Sequence, residues 1–291
     1  MVNKKHQKLL MGLISIFLLH TPFVQAQSSR LNPDSAREHL ERARSYEASD
    51  DPRAEQEYRQ AIADRGGVYA TAWGELSNYL AQRQRFGEAA NAFRKHLNQA
   101  RHKGRSLNLA RLHRLDRAAE LRSKSDRGEV LSVEEMLELV ALVEGFGAKA
   151  DAVPYADQAV KLYPESAKAL SALAKLLRWE QKERALELLD RAVAFEPNDP
   201  VMYTARGWHY YWAIGNSSQA EADFRRAIEI SKGSNASAWA GLGDALAGQR
   251  RRDEAIAAYR KYLSIRPKSA AHYDGEIRKS IETLRSTSTQ P

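Results

Sequence analysis

Six histidines follow residue 26, at His39, His96, His102, His113, His209 and His272, and imidazole is the side chain best suited to bind a metal or move a proton near neutral pH. They fall on different predicted helices, and no H-E-x-x-H pair presents two of them on one helical face. Neighbouring carboxylates such as Glu134 with Glu135 and Glu221 with Asp223 have the setting of solvated helix faces, where i,i+4 partners are the rule. The chain has no G-x-x-x-x-G-K-[ST] phosphate loop and no G-x-S-x-G nucleophile elbow. It also lacks the alternating acidic loop of a calcium site. No catalytic residue, cofactor site or metal site is expected, and the pattern points away from an enzyme.

Two surface features rise above that background. The run GWHYYWAIG brings together Trp208, Tyr210, Tyr211 and Trp212. Successive helical residues turn by about 100°, so these rings cannot all face one way. The second feature is charge. Between residues 94 and 129 stand eleven basic residues against four acidic ones. Arg105, Arg111, Arg114, Arg117 and Arg122 form its centre. Such a segment is either a solvated connecting face or a docking patch for something anionic, where only several contacts together would matter.

The elements that must position these residues keep a measured spacing. In WAGLGDALAGQRRRDEAIAAYRKYLSIRP, Trp239, Leu242, Gly243, Ala255, Tyr259 and Pro267 follow one another as landmarks of two helices and a stop. Ala220, Phe224 and Ala227 repeat the second helix, preceded by Tyr203, Gly207 and Tyr210 on a first. Leu170, Leu173 and Ala174 with Ala185, Leu189, Ala192 and Pro197 form an earlier copy, and Met136, Leu139 and Val143 with Ala152, Ala159 and Pro164 another. Trp73 and Leu76 are answered by Ala89 and Phe93, and a looser copy runs from Tyr46 to Ala61. Pro164 to Pro197 is 33 residues, and Pro197 to Pro267 is 70, or two units of 35. No convincing period-2 strand is found, so the chain is expected to be all-α.

This landmark set resembles the tetratricopeptide-repeat pattern W-x2-L-G-x2-Y…A-x3-F…P, a helix-turn-helix unit of about 34 residues. The resemblance covers roughly residues 35–268, with a gap at 104–132 that is either a degenerate repeat or an inserted helix. It implies an α-solenoid, a right-handed superhelix in which first helices line a concave groove. Stacked units supply one another's core, and a polar cap is needed at the end. Residues 35–103 are thus read as N-terminal repeats, 133–268 as C-terminal repeats, 269–285 as a capping helix and 286–291 as a disordered tail. In the family's pattern, Trp208 and Tyr211 face the concave side, while Trp212 and Trp179 lie at the rim beside Lys175 and Arg178. The alternative is that Trp179 and Trp212 wedge between adjacent repeats. The carboxylate clamp of some family members finds only Gly74 and Asn78, then Ser171 and Lys175, at its positions. That set is incomplete, so the clamp's partner class does not carry over.

The N-terminus has its own signature. Lys4, Lys5 and Lys8, the apolar run Leu9 to Leu19 and the small residue Ala26 have the order of a cleaved secretory signal peptide, followed by a flexible stretch at 27–34. Eleven apolar residues at about 1.5 Å each are too short for a hydrocarbon core of about 30 Å, although a retained anchor is the competing reading. The chain has no cysteine, hence no disulfide framework and no lipidation cysteine. A periplasmic or secreted location follows as an expectation. Three of the formal +8 charges belong to that leader, and what is left does not demand nucleic acid. The expected partner is a protein or peptide of the cell envelope, with a polysaccharide or an anionic membrane surface as alternatives.

Overall fold

The structure, a computed structural model, describes residues 31–100, 105–147, 149–267 and 274–286. The leader at 1–26, the start of the stretch at 27–34 and the tail beyond Ser286 lie outside the described residues. So do 268–273, which include the first five residues assigned to the cap. Every regular element among the described residues is helical. They are α1 (Pro33–Ala48), α2 (Arg53–Asp64), α3 (Ala70–Gln82), α4 (Phe86–Gln99), α5 (Arg105–Asp126), α6 (Val133–Phe146) and α7 (Lys149–Leu162). After these come α8 (Ala167–Leu177), α9 (Lys182–Phe195), α10 (Pro200–His209), a π-helical turn (Tyr210–Ile214), α11 (Ser217–Ile230), α12 (Ala236–Gly248), α13 (Arg252–Ile265) and α14 (Asp274–Ser286). None of the described helices is long and apolar enough to cross a membrane.

The chain divides into two compact units, residues 1–76 with 92–102 and residues 77–91 with 103–291. In the first, α1 and α2 form a hairpin around Ala36, Leu40, Ala43, Ala54 and Tyr58, all buried. Arg44 there forks onto Glu75 at 2.6 and 2.9 Å. In the second, α6 pairs with α7, α8 with α9, α10 with α11 and α12 with α13, each hairpin packing on the next. This is the all-α repeat array that the spacing predicts.

Each first helix of these four hairpins begins on a capping residue: Ser132, Ser166, Asp199 and Asn235. Their side-chain oxygens accept from backbone N–H groups two or three residues on, which supplies donors the helix start leaves unpaired. Each such cap is worth about 1 kcal/mol. Inside the array, the glycine landmarks are sites of close approach. A Cβ on Gly243 would stand 2.4 Å from the Tyr259 ring of the same hairpin. Phe224, fully buried, is held between two such glycines. A Cβ on Gly207 would meet its ring at 2.8 Å, and one on Gly241 of the following hairpin at 2.3 Å. The aromatic therefore joins neighbouring repeats as well as the two helices of its own.

Two departures from regularity matter for the surface. Helix α5 is one continuous helix of 22 residues where a repeat would supply two short ones. The hairpin beginning at Pro200 is also longer than its predecessor: its first helix and turn fill residues 200–216, against 167–181 before it. The π-helical turn takes up this excess, and Gly215 in the left-handed region (φ 76°) closes it. At the C-terminal end, α14 lays Ile281 into the α12–α13 core, with Ile277 and Leu284 half-buried beside it.

Candidate partner groove

Within the second unit, first helices of successive hairpins line two adjoining cavities. The larger, of about 1030 Å³, has Val201 and Trp208 of α10, Trp212 of the π turn, Ser237 and Asp244 of α12, and Tyr262 of α13 among its walls, with Ile277 of α14 closing one side. The smaller, of about 420 Å³, is lined from α6, α8 and α10. Arg178 and Val201 belong to both.

The predicted aromatics separate into different roles. Trp208 has one side against the core, its ring 5.0 Å from Phe224 and tilted by 69°, while its indole N–H donates to the Ser237 hydroxyl at 3.1 Å. Trp212 stacks on Trp208 at 6.2 Å and 14° and remains 53% exposed. An i,i+4 pair on one helical face explains that stack. Tyr211 does not line the cavity. It is packed against the α11–α13 core, 3.7 Å from where a Cβ on Gly248 would stand, and burial pushes its phenol pKa up, with Asp244 adding to the effect. Trp179 is 51% exposed and lines neither cavity. The lining also includes Asp244, whose carboxyl accepts from the Tyr259 hydroxyl at 2.6 Å. Burial raises the Asp244 pKa, and that hydrogen bond only partly offsets the rise.

The two predicted basic residues of the groove also differ. Lys175 reaches Glu144 at 3.0 Å on the preceding first helix. Arg178 is half-buried with no ion pair among the described residues, and burial alone lowers its pKa. Beside it lies His209, one of the six histidines that the sequence leaves without a metal-binding pair. Nothing in its spacing distinguishes it, because its burial depends on how α10 sits over α9.

The basic segment looks different in three dimensions. Arg111 reaches Asn78 at 2.5 Å, and Arg111 and Arg114 lie over the Phe146 ring, 5.8 and 4.9 Å from its centroid. Arg117 bridges Glu120 and Glu138 at 2.9 and 2.8 Å, which pushes its pKa up. Arg122 pairs with Asp126 at 2.9 Å and also donates to Gln84 and to the Tyr155 hydroxyl. The side chain of Arg105 lies outside the described residues. Four of the five arginines proposed for an anionic partner are therefore engaged within the chain. Among the described residues no group of His, Cys, Asp and Glu is arranged to hold a metal ion.

Among curated proteins no sequence matches the chain significantly. Among solved structures it is similar to the MamA protein, at 21% identity and a TM-score of 0.42 over 71% of this chain and 94% of that one. It is also similar to a tetratricopeptide repeat protein from Parabacteroides merdae, at 15% identity and a TM-score of 0.48 over 86% and 99% of the two chains. A third is TTC0263, a thermophilic protein in Thermus thermophilus, at 18% identity and a TM-score of 0.45 over 74% and 98%. The tetratricopeptide repeat family profile matches residues 209–270, the stretch holding Phe224, Gly241, Gly243 and Tyr259. That match is seated on the hairpins whose glycines and aromatics interlock, so residues 209–270 carry the tetratricopeptide repeat.

Proposed function

We propose that this chain is a non-enzymatic adaptor of the cell envelope, which grips a protein or peptide partner in the groove of its second unit and serves an assembly, secretion or polymer-export machine. The tetratricopeptide-repeat fold supports a protein-interaction scaffold, and proteins of this kind are generally non-enzymatic. The observation that carries the reading is Trp212, half-exposed and stacked on Trp208 in the wall of a cavity of about 1030 Å³. Tryptophan concentrates binding energy at interfaces because it buries a large area with few torsions to freeze. The envelope assignment rests on the signal-like order of residues 1–26.

A polymer-binding module is the second reading, because a stacked tryptophan pair also suits the face of a sugar ring. A photo-reactive residue in place of Trp212, irradiated in intact cells, separates the two. An adaptor gives a discrete protein adduct, and Trp212→Ala weakens the identified partner by about 2 kcal/mol without changing the melt. Affinity for isolated polymer with no protein adduct would replace the first reading by the second.

A further inference from the structure

The five tryptophans divide into two kinds. Trp73 and Trp239 donate their indole N–H to the carbonyls of Gly67 and Gly233, and Trp208 donates to the Ser237 hydroxyl. Trp179 and Trp212 have no acceptor for that N–H among the described residues, although Trp212 stacks on Trp208. Trp179, half-exposed in the turn between α8 and α9, has neither a hydrogen bond nor a ring partner there and lines neither groove cavity. Contacts around this turn set three other helix ends beside it. His209 at the end of α10 has Nε2 2.9 Å from the Lys182 carbonyl at the start of α9. Gln249, after α12, donates to the Ser217 carbonyl at the start of α11 at 3.3 Å, and Arg251 meets both oxygens of Glu221 at 2.7 Å. Arg250, Arg251 and Arg252 share a hollow of about 620 Å³ with Leu284 and Arg285 at the end of α14. The ends of α8, α10, α12 and α14 therefore lie along one edge of the second unit. Ile214, also exposed, stands at the second of them. Across residues 178–184, 210–216, 249–254 and 284–286, seven basic side chains face four acidic ones. Arg251 is spent on Glu221 and Glu254, whereas Arg250, in the left-handed region at the apex of its turn, and Arg285 meet no carboxylate among the described residues. The turns at the other ends of these helices, 163–166, 196–199 and 231–235, carry Lys232 against Glu165, Glu196 and Asp199.

We propose that this edge seats the second unit on the surface of an anionic phospholipid bilayer. Trp179 and Ile214 enter at the level of the glycerol and the first acyl carbons, and the free indole N–H donates to a lipid ester or phosphate oxygen. Indole suits that layer because its body is apolar and its tip is a donor. Arg250 and Arg285 meet headgroup phosphates, and the basic surplus of the edge adds to their pull. The same negative potential repels Glu165, Glu196 and Asp199 at the far ends of the helices, which fixes the edge that turns toward the membrane. A protein interface needs a continuous, closely packed core, whereas a bilayer imposes no shape, so a row of separate tips suits the bilayer. The inference goes beyond the adaptor reading and does not depend on what the groove binds.

The test uses the full chain and two kinds of vesicle, one of phosphatidylglycerol with phosphatidylethanolamine and one of phosphatidylcholine, each brominated on the acyl carbons nearest the glycerol. Bromine quenches tryptophan fluorescence at contact, and residues 1–26 contain no tryptophan, so any lipid affinity of that segment gives no signal of its own. The anionic vesicles should quench the parent chain, and Trp179→Phe should lose at least half of that quench while its melt matches the parent's. Arg250→Gln with Arg285→Gln should weaken the quench by about threefold or more, as should raised salt. No quench, a quench unchanged by either variant, or an equal quench on phosphatidylcholine would overturn the proposal. So would a dimer in sedimentation that Trp179→Ala dissolves with no response to vesicles, since the edge would then join two copies of this chain. If no quench is seen while a protein adduct forms at position 212, only this proposal falls and the groove reading stands.

Discussion

Helix α5 and helix α8 carry arginines to opposite ends. On α5, Arg117 lies between Glu120 and Glu138, Arg122 meets Asp126, and Arg111 and Arg114 cover Phe146. On the turn after α8, Arg178 stands alone and half-buried. The dense segment has its charge spent within the fold, while the inconspicuous one keeps a cation unpaired at a cavity. Charge counted along a sequence measures supply, and only the packing of neighbouring helices sets how much is already matched. A third arginine sharpens the contrast: Arg206 is held by Asp223 through two 2.8 Å hydrogen bonds and by Asp190 through a third at 2.8 Å.

The largest effect is expected at Arg206. Asp223 is almost fully buried, with 8% of its side chain exposed. Arg206→Met would leave that carboxylate without its partner, and breaking one side of a buried pair costs about 3 to 5 kcal/mol. Urea unfolding measures it. A loss under about 1 kcal/mol would mean that Arg206 behaves as a surface arginine and that the contrast is one of geometry without energy.

Arg117→Met should cost much less, below about 1 kcal/mol, because its pair with Glu138 is solvent-exposed and screened. Reversing Arg111, Arg114 and Arg117 to glutamate together is a harsher operation. It sets carboxylates beside Glu120 and Glu138 and strips the Phe146 ring of its cover, so the melt should fall. An unchanged melt, with salt-sensitive recruitment to anionic membranes lost, would instead restore α5 as a docking face.

Arg178→Met should leave stability unchanged or raise it slightly, since the substitution removes a buried charge with no counter-charge and keeps an apolar stem of similar length. A loss comparable to that of Arg206→Met would show that an intramolecular partner had been holding it.

The hairpin array was legible in the sequence for a physical reason. Gly243 with Tyr259, and Gly207 with Phe224, are local pairings that recur in two successive hairpins, and a residue type that must be small or must be large leaves a spacing. The second role of Phe224, wedged against Gly241 of the next hairpin, is carried by the same letters and adds no spacing of its own. The capping residues Ser132, Ser166, Asp199 and Asn235, found only in the structure, recur at the same spacing. The single long helix α5 was not legible, because its leucine spacing fits one helix or two with equal ease. Nor was the orientation of Tyr211. The family pattern would turn it toward the groove, and the longer first helix with its π turn instead leaves it against Gly248 and the core. The groove tryptophans could be named from their types, but their division into a core-anchored Trp208 and an exposed Trp212 depends on where Phe224 lies.

The smallest effect is a pH dependence that ties Arg178 to its neighbour. Burial, opposed by the Lys182 carbonyl and reinforced by the Arg178 charge, lowers the His209 pKa from 6.5, while Asp190 and Glu183 act weakly the other way. Above pH about 6.5 neither the folded nor the unfolded chain protonates this ring, and the group contributes no slope. As pH falls below that value the unfolded chain takes up a proton that the folded chain refuses. Stability therefore declines with falling pH until the folded pKa is reached, where the loss levels off. Arg178→Met removes one of the charges that keep the ring neutral, so the folded pKa rises toward its ordinary value and the decline shrinks. Carboxylates held low in the fold, such as Asp157 and Glu221, lose stability in the same direction but further down in pH, and their contribution cancels between the two chains. Urea midpoints at pH 7.5 and 5.5 should thus lie closer together in the variant than in the parent chain. Identical pH dependence in both chains would show that Arg178 does not act on the histidine.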